Sequence, residues 1–264
     1  MNQPDDFVPA SEEEKQKVAD ISKSIEENTN INRVYPFTKV LRFLRGRKGD
    51  KDRAYRALVK HDEWRTEFHV DSIASSREFS QNCRNIIQYG PSMKLKSGEP
   101  AIFIISKSHN KNNRNLEELR DYIVGVFEEA LKNANPHEER MSIVFDLHGF
   151  SLSETMDYEA VQLIIEILSF NYPDTLHRAF IVNHPFFFSA CWFVISPWMD
   201  PVTRAKVCFC SPADLTAYIL PENIPQDVFG VPRDDPGTHG DQLKTTEKAE
   251  TLVTNADSGT DTSN

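Results

Sequence analysis

The 264-residue chain lacks most of the features that mark the commoner functional classes. No run reaches the roughly 20 apolar residues that a membrane-spanning helix needs. Its greasiest stretch, Phe186–Met199, is interrupted by Pro197 and closed by Asp200. Asn-x-Ser/Thr sequons are absent, and Met1–Ala10 is acidic with no apolar segment behind it, so no secretory leader is expected. The four cysteines (Cys83, Cys191, Cys208, Cys210) sit beside apolar segments, and no second pair completes a zinc spacing. Reduced core thiols are the expectation. There is no Gly-x-Gly-x-x-Gly, and Gly46-Arg47-Lys48-Gly49 has neither the length nor the Lys-Ser/Thr end of a phosphate loop. Gly149-Phe150-Ser151-Leu152-Ser153 begins like a nucleophile elbow but lacks the closing glycine. With no visible set of nucleophile, base and oxyanion donors, the chain reads as a non-enzyme. Asp146 ends a predicted strand, where it is expected to cap the following turn rather than to catalyse. His148, His177 and His184 fall on segments able to approach one another, but no spacing demands a metal or haem, and no metal or cofactor is expected.

What is present is charge, unevenly placed. The net charge is −10, yet Arg33–Arg65 holds eleven Lys/Arg against four acids, which leaves the rest of the chain at −17. An acidic total argues against nucleic-acid binding, which rests on neutralising many phosphates. A concentrated basic segment suits one compact anion or an anionic membrane surface.

Periodicity divides the chain. Ser11–Glu27, Phe37–Arg47 and Asp50–Phe68 read as helices, the first with a Ser-x-x-Glu start and the last with Leu58, His61, Trp64, Arg65 and Phe68 on one face. His61 is expected to be a satisfied core histidine. Ala101–Ser106, Met141–Leu147, Phe180–Asn183 and Val207–Cys210 read as strands, with helices at Leu116–Asn133, Thr155–Phe170 and Ser211–Tyr218. The alternation predicts an α/β fold: an N-terminal helical lobe plus a mixed, mostly parallel sheet flanked by helices. Val161–Phe170, apolar on nearly every side, is expected to pack deep against that sheet. The expected divisions are 1–32 (N-terminal helix and tail), 33–76 (helical module), 77–230 (main lobe) and 231–264, an acidic tail too polar to fold.

The segment Phe186, Phe187, Phe188, Trp192, Phe193 and Trp198 is apolar nearly all round, as a helix facing something other than water would be. It suggests a movable lid over an apolar ligand, the plainer reading being an ordinary core helix.

Several motifs in order carry a family likeness: Leu41-Arg42-Phe43-Leu44-Arg45-Gly46-Arg47-Lys48 with Trp64-Arg65, then Asp146-Leu147-His148-Gly149, Asn171-Tyr172-Pro173, Asn183-His184-Pro185, Asp200-Pro201-Val202-Thr203 and Pro221-Glu222-Asn223-Ile224-Pro225. Together they resemble the CRAL-TRIO lipid-binding family, its phosphatidylinositol-transfer branch above all. The resemblance implies an internal apolar cavity gated by the phenylalanine-rich helix. It also implies a lipid headgroup site of Arg47, Lys48, Asp174, Thr203 and Lys206, with Asp174 where the family usually has glutamate. Two cations and a hydroxyl suit a phosphodiester, and a carboxylate suits inositol hydroxyls. The branch's phosphatidylcholine positions read Met141, Ile143, Ile102 and Glu129, none of which carries the expected hydroxyl, so the resemblance implies a poor fit for phosphatidylcholine. The resemblance further implies a cytoplasmic, peripherally membrane-associated monomer that meets membranes transiently, binds phosphatidylinositol or a related phospholipid and works with lipid kinases. A carrier of another apolar ligand (sterol, isoprenoid, tocopherol-like, haem) and a non-transferring regulatory scaffold are the alternatives.

Overall fold

Capping chemistry sets the first helices in a computed structural model that describes residues 8–31, 33–73, 78–225 and 228. Helix α1 (Glu12–Glu26) starts where the Ser11 hydroxyl accepts from the Glu14 amide and the Glu14 carboxylate accepts from the Ser11 amide at 2.9 Å. Two otherwise orphaned amides are thereby satisfied. Helix α2 (Phe37–Gly46) follows Pro36, and α3 (Lys51–Glu67) begins at Asp50, whose side chain accepts from the Arg53 amide. Ile21, Phe43, Leu44 and Leu58 close this lobe into a core of its own.

The main lobe runs α4 (Gln81–Ile86), β1 (Ile87–Gln88), β2 (Ala101–Ile105), α5 (Leu116–Lys132), β3 (Met141–Asp146), α6 (Tyr158–Asn171), β4 (Leu176–Val182), α7 (Phe188–Ile195), α8 (Pro201–Ala205), β5 (Val207–Phe209) and α9 (Pro212–Leu215). The strands lie in the order β1-β2-β3-β4-β5, with β1 antiparallel and every other pairing parallel. This is the mixed, mostly parallel sheet that the alternating pattern predicted. Right-handed crossovers between strands laid down in sequence order carry all their helices to one face. Residues of α5, α6 and α7 accordingly pack on the face that carries Ile143, Phe145 and Ile181. The opposite face is covered by Leu215, Ile219, Ile224 and Val228.

Three expectations need correction. Strand β4 starts at Leu176, four residues before the expected Phe180, because His177 and Arg178 interrupt its apolar pattern. Helix α9 stops at Leu215, short of Tyr218. Helix α6 does not pack deep: Phe170 is 63% exposed, and only Ala160, Ile164 and Ile167 are buried. Its apolar inner side faces a cavity instead of the sheet, as described below. The predicted boundary at 76/77 and the tail 231–264 lie outside the described residues.

The helical lobe is fastened to the main lobe by side chains of α3. Trp64 meets Tyr172 edge-on at 6.1 Å, and Arg65 pairs with Glu128 at 2.8 Å while the Tyr172 hydroxyl donates to the same carboxylate at 2.7 Å. Burial alone would raise the Glu128 pKa, but its bonds to Arg65 hold it below the usual range. His61 is buried among Phe43 and Trp64, with Nδ1 3.3 Å from Asn171 Oδ1 and Nε2 without a partner. It is half satisfied rather than fully so. Burial pulls its pKa down to about 3.

Candidate functional site

Between the sheet and α6 lies a cavity of about 880 Å³, toward the upper end of the roughly 300–1,000 Å³ usual for small-molecule sites. Ile143, Phe145 and Ile181 form its floor, Val161, Ile164 and Leu168 of α6 its roof, and Phe188, Trp192 and Ile195 of α7 a side wall. Apolar walls of this extent favour an apolar occupant over water, which would find few hydrogen-bond partners there.

Because β3, β4 and β5 run parallel, the two ends of the cavity differ chemically. At the N-terminal edge of the sheet, Asp174 stands just before β4, Lys206 just before β5 and Arg140 just before β3. The end of α2 brings Arg47 and Lys48 to the same place. All five residues assigned from the sequence (Arg47, Lys48, Asp174, Thr203 and Lys206) line this one cavity, as does Arg140. Sequence reasoning missed Arg140; a basic residue directly before a predicted strand was the available signal.

The local geometry explains the convergence. Gly46 ends α2 so close to the 172–174 loop that a Cβ there would lie 2.6 Å from Pro173 Cβ. Only glycine permits that approach. The chain then turns through Lys48 and Gly49, both left-handed with φ of 56° and 75°. Glycine adopts this readily, whereas an L-residue such as lysine costs about 1–2 kcal/mol there. Asp174 is also left-handed, with φ of 56°. Strained backbone of this kind at two residues of one cluster is a pattern common at ligand sites.

The polar contacts are specific. Lys206 donates through Nζ to the Leu176 carbonyl at 2.7 Å and lies 3.6 Å from Asp174 Oδ1, with its side chain only 10% exposed. Asp200 caps α8 by accepting from the Val202 and Thr203 amides, and the Thr203 hydroxyl donates to its other oxygen at 2.5 Å. Burial would raise the Asp200 pKa, but these bonds from Thr203 and Val202 lower it on balance. Arg47 donates weakly to the Ser169 carbonyl at 3.4 Å, and burial lowers its pKa. The neighbouring Arg45 is committed elsewhere, to Glu14 at 2.8 Å, and this bond pulls the Glu14 pKa to about 2. The end of the cavity thus presents the cations Arg47, Lys48 and Lys206 with the Thr203 hydroxyl and the carboxylates of Asp174 and Asp200, a set able to hold a phosphate next to a polyol.

The phenylalanine-rich segment divides into an inner and an outer face. Helix α7 begins only at Phe188, and Phe186 and Phe187 form the turn before it. Phe188, Trp192 and Trp198 line the cavity, whereas Phe186 and Phe193 are 87% and 80% exposed and Phe187 packs 6.0 Å from Phe150. Of the positions matched to a choline site, Ile143 faces the cavity, while Glu129 is exposed on α5. Asp146 caps its turn, accepting from the His148 amide at 3.0 Å and the Asn183 amide group at 2.7 Å. Among the described residues no cluster of three His, Cys, Asp or Glu could hold a metal. His184 instead packs on Phe209, and His177 lies 3.9 Å from Glu99. None of the described helices is long and apolar enough to cross a membrane.

A mixed, mostly parallel sheet flanked by helices, with an apolar cavity that ends in a basic cluster, defines the class of fold. Residues 93–230 match the CRAL/TRIO domain model, and the chain belongs to that family. It is 29% identical over 207 residues to the phosphatidylinositol transfer protein CSR1 of Eremothecium gossypii, covering 74% of this chain and 47% of that one. It is 30% identical over 185 residues to the phosphatidylinositol/phosphatidylcholine transfer protein SFH7 of Arabidopsis thaliana, covering 64% of this chain and 34% of that one. The chain therefore spans half or less of the length of these curated relatives. The crystal structure of Sfh5 superposes with a TM-score of 0.68 at 16% identity, covering 94% of this chain and all of that one.

Proposed function

We propose that this chain holds one phosphatidylinositol-type phospholipid, acyl chains in the cavity and headgroup at the basic end, and exchanges or presents it at membranes. The observation that carries this reading is the joining of an apolar cavity of about 880 Å³ to Arg47, Lys48, Asp174, Thr203 and Lys206 at one end. The names of the CSR1 and SFH7 relatives support the same lipid class. In this reading Arg47, Lys48 and Lys206 neutralise the phosphodiester, while Thr203 and Asp174 meet the phosphate and the inositol hydroxyls. Lys206 leaves its 3.6 Å contact with Asp174 to meet the phosphate, which frees the carboxylate to accept from the ring. Helix α7 serves as the gate, and the exposed Phe186 and Phe193 meet the bilayer as it opens. The protein is then a carrier, not an enzyme, acting as a monomer on membrane surfaces and supplying lipid kinases.

Loading assays test this reading. The full chain incubated with vesicles is expected to take up phosphatidylinositol, and Lys206→Ala to lower that uptake by about tenfold or more, since bonds to charged groups are worth ~1.5–3 kcal/mol. Equal uptake by a folded Lys206→Ala variant would remove Lys206 from the site.

A further inference from the structure

Asp174, the carboxylate assigned above to the inositol hydroxyls, stands third in a four-residue turn, Tyr172-Pro173-Asp174-Thr175. The turn is closed by the Thr175 amide, which donates to the Tyr172 carbonyl at 3.4 Å. Asp174 has a φ of 56°. A positive φ at that position is normally met by glycine or asparagine, and another residue stays there only where its surroundings over-determine it. Both ends of the turn are anchored. The Thr175 side chain is fully buried, and its hydroxyl donates to the same Tyr172 carbonyl at 2.7 Å. The Thr175 carbonyl accepts from the Met141 amide at 2.8 Å, where β3 begins. Thr175 is thus fixed to the sheet on one side and to Tyr172 on the other. Tyr172, 3% exposed, makes T-shaped ring contacts with Phe127 of α5 at 5.6 Å and Trp64 of α3 at 6.1 Å. Its hydroxyl donates to Glu128 at 2.7 Å, and Arg65 holds that carboxylate through both oxygens, at 2.8 and 3.0 Å. Between the anchors only Pro173 and Asp174 remain, and the ring of Pro173 fixes its own φ. Neither Thr175 nor Glu128 lines the cavity.

We infer that Thr175 and Glu128 are positioning residues for headgroup selection: acting through Tyr172, they hold Asp174 left-handed and so aim its carboxylate at the inositol hydroxyls. Without the clamp the turn relaxes toward ordinary φ, and the carboxylate moves with its backbone. The cations that meet the phosphate stand on other segments, Arg47 and Lys48 after α2 and Lys206 after α8. Loosening the turn therefore falls on recognition of the polyol and spares recognition of the phosphodiester. Part of the choice between inositol and other phosphodiester headgroups is then made outside the cavity, by residues of α5 and of the start of β4. The inference rests on the reading of Asp174 and the cavity given under the proposed function.

Phosphatidylinositol and phosphatidylmethanol share the phosphodiester and differ in the headgroup hydroxyls. The ratio of their uptake from vesicles by the full chain therefore reads Asp174 separately from the cations. The parent is expected to prefer phosphatidylinositol. Thr175→Val, close to isosteric, should lower phosphatidylinositol uptake about tenfold and leave phosphatidylmethanol uptake at the parent's level. Thr175→Ser, which keeps the hydroxyl, should restore the preference. In an Asp174→Ala background, Thr175→Val should change the ratio no further, because residues that act through one group are not additive. Tyr172→Phe keeps the ring contacts and loses only the bond to Glu128. It should shift the ratio in the same direction, and it decides the matter should Thr175→Val misfold; an unchanged ratio in it removes Glu128 from the role. A folded Thr175→Val variant with the parent's ratio, an equal loss for both lipids, or a further fall in the Asp174→Ala background overturns the positioning role and leaves the carrier reading standing. A parent that loads both lipids without preference removes Asp174 from hydroxyl recognition and the positioning role with it. A parent that takes up neither lipid overturns the carrier reading as well.

Discussion

Replacing Gly46 with alanine probes the convergence on which the headgroup site depends. The new methyl would lie 2.6 Å from Pro173 Cβ and 3.6 Å from Pro173 Cγ, against an optimum of about 3.5–4.0 Å between carbons. Pro173 cannot rotate out of the way, since its ring is tied to the backbone. The end of α2 and the 172–174 loop must therefore separate by roughly 1 Å. Overpacking of this kind costs ~1–3 kcal/mol, and the better helix propensity of alanine offsets at most about 1 kcal/mol of it. The fold should survive with a modest fall in unfolding temperature. Binding should suffer more, because Arg47 and Lys48 directly follow the displaced residue and Asp174 directly follows Pro173. A polar contact near 2.9 Å stretched by about 1 Å is no longer a hydrogen bond. Losing one charged bond, at ~1.5–3 kcal/mol, lowers affinity about 10- to 100-fold. The assay is phosphatidylinositol uptake from vesicles alongside thermal unfolding. A folded Gly46→Ala variant that loads as the parent does would refute the claim that close approach at Pro173 builds the site.

Thr203→Asp sets a carboxylate beside the proposed phosphate and should lower phosphatidylinositol uptake further than Lys206→Ala does; equal uptake by parent and variant counts against Thr203. Phe186→Ser with Phe193→Ser removes two rings that are 87% and 80% exposed. This pair should slow vesicle-to-vesicle transfer several-fold with little change in unfolding temperature, and unchanged transfer would move the membrane contact elsewhere. His61, with its pKa pulled to about 3 by burial, titrates near 6.5 when unfolded, so the unfolded chain takes up the proton first. Its contribution is complete above about pH 6.5 and is lost as pH falls toward about 3, at ~1.4 kcal/mol per unit. His61→Phe should flatten that part of the stability profile measured by denaturant unfolding, and an equally steep profile in the variant would show that another group sets it.

The sequence disclosed most where local chemistry is self-sufficient. Ser11 and Asp50 cap the helices they were expected to start, and the apolar runs at Ala101 and Met141 became neighbouring parallel strands. It misled where an apolar residue has two ways of avoiding water. Val161, Ile165 and Leu168 of α6 look like core in the sequence, yet they line a cavity, and period alone does not distinguish the two. Strand β1 is two residues long and carries no periodic signal. The headgroup residues were legible through motifs, but not what joins them: a missing side chain at Gly46, and the β4–β5 pairing that sets Lys206 beside the Leu176 carbonyl.

One phospholipid in the cavity, its inositol phosphate at the basic end, is the proposal on which the others depend. Native mass spectrometry of the full chain, after incubation with vesicles of mixed phosphatidylinositol and phosphatidylcholine, tests it most directly. A single adduct with the mass of one phosphatidylinositol is expected, lost or strongly reduced in Lys206→Ala. A folded parent that carries no phospholipid, or that carries phosphatidylcholine in preference and does so equally with Lys206 removed, would contradict it.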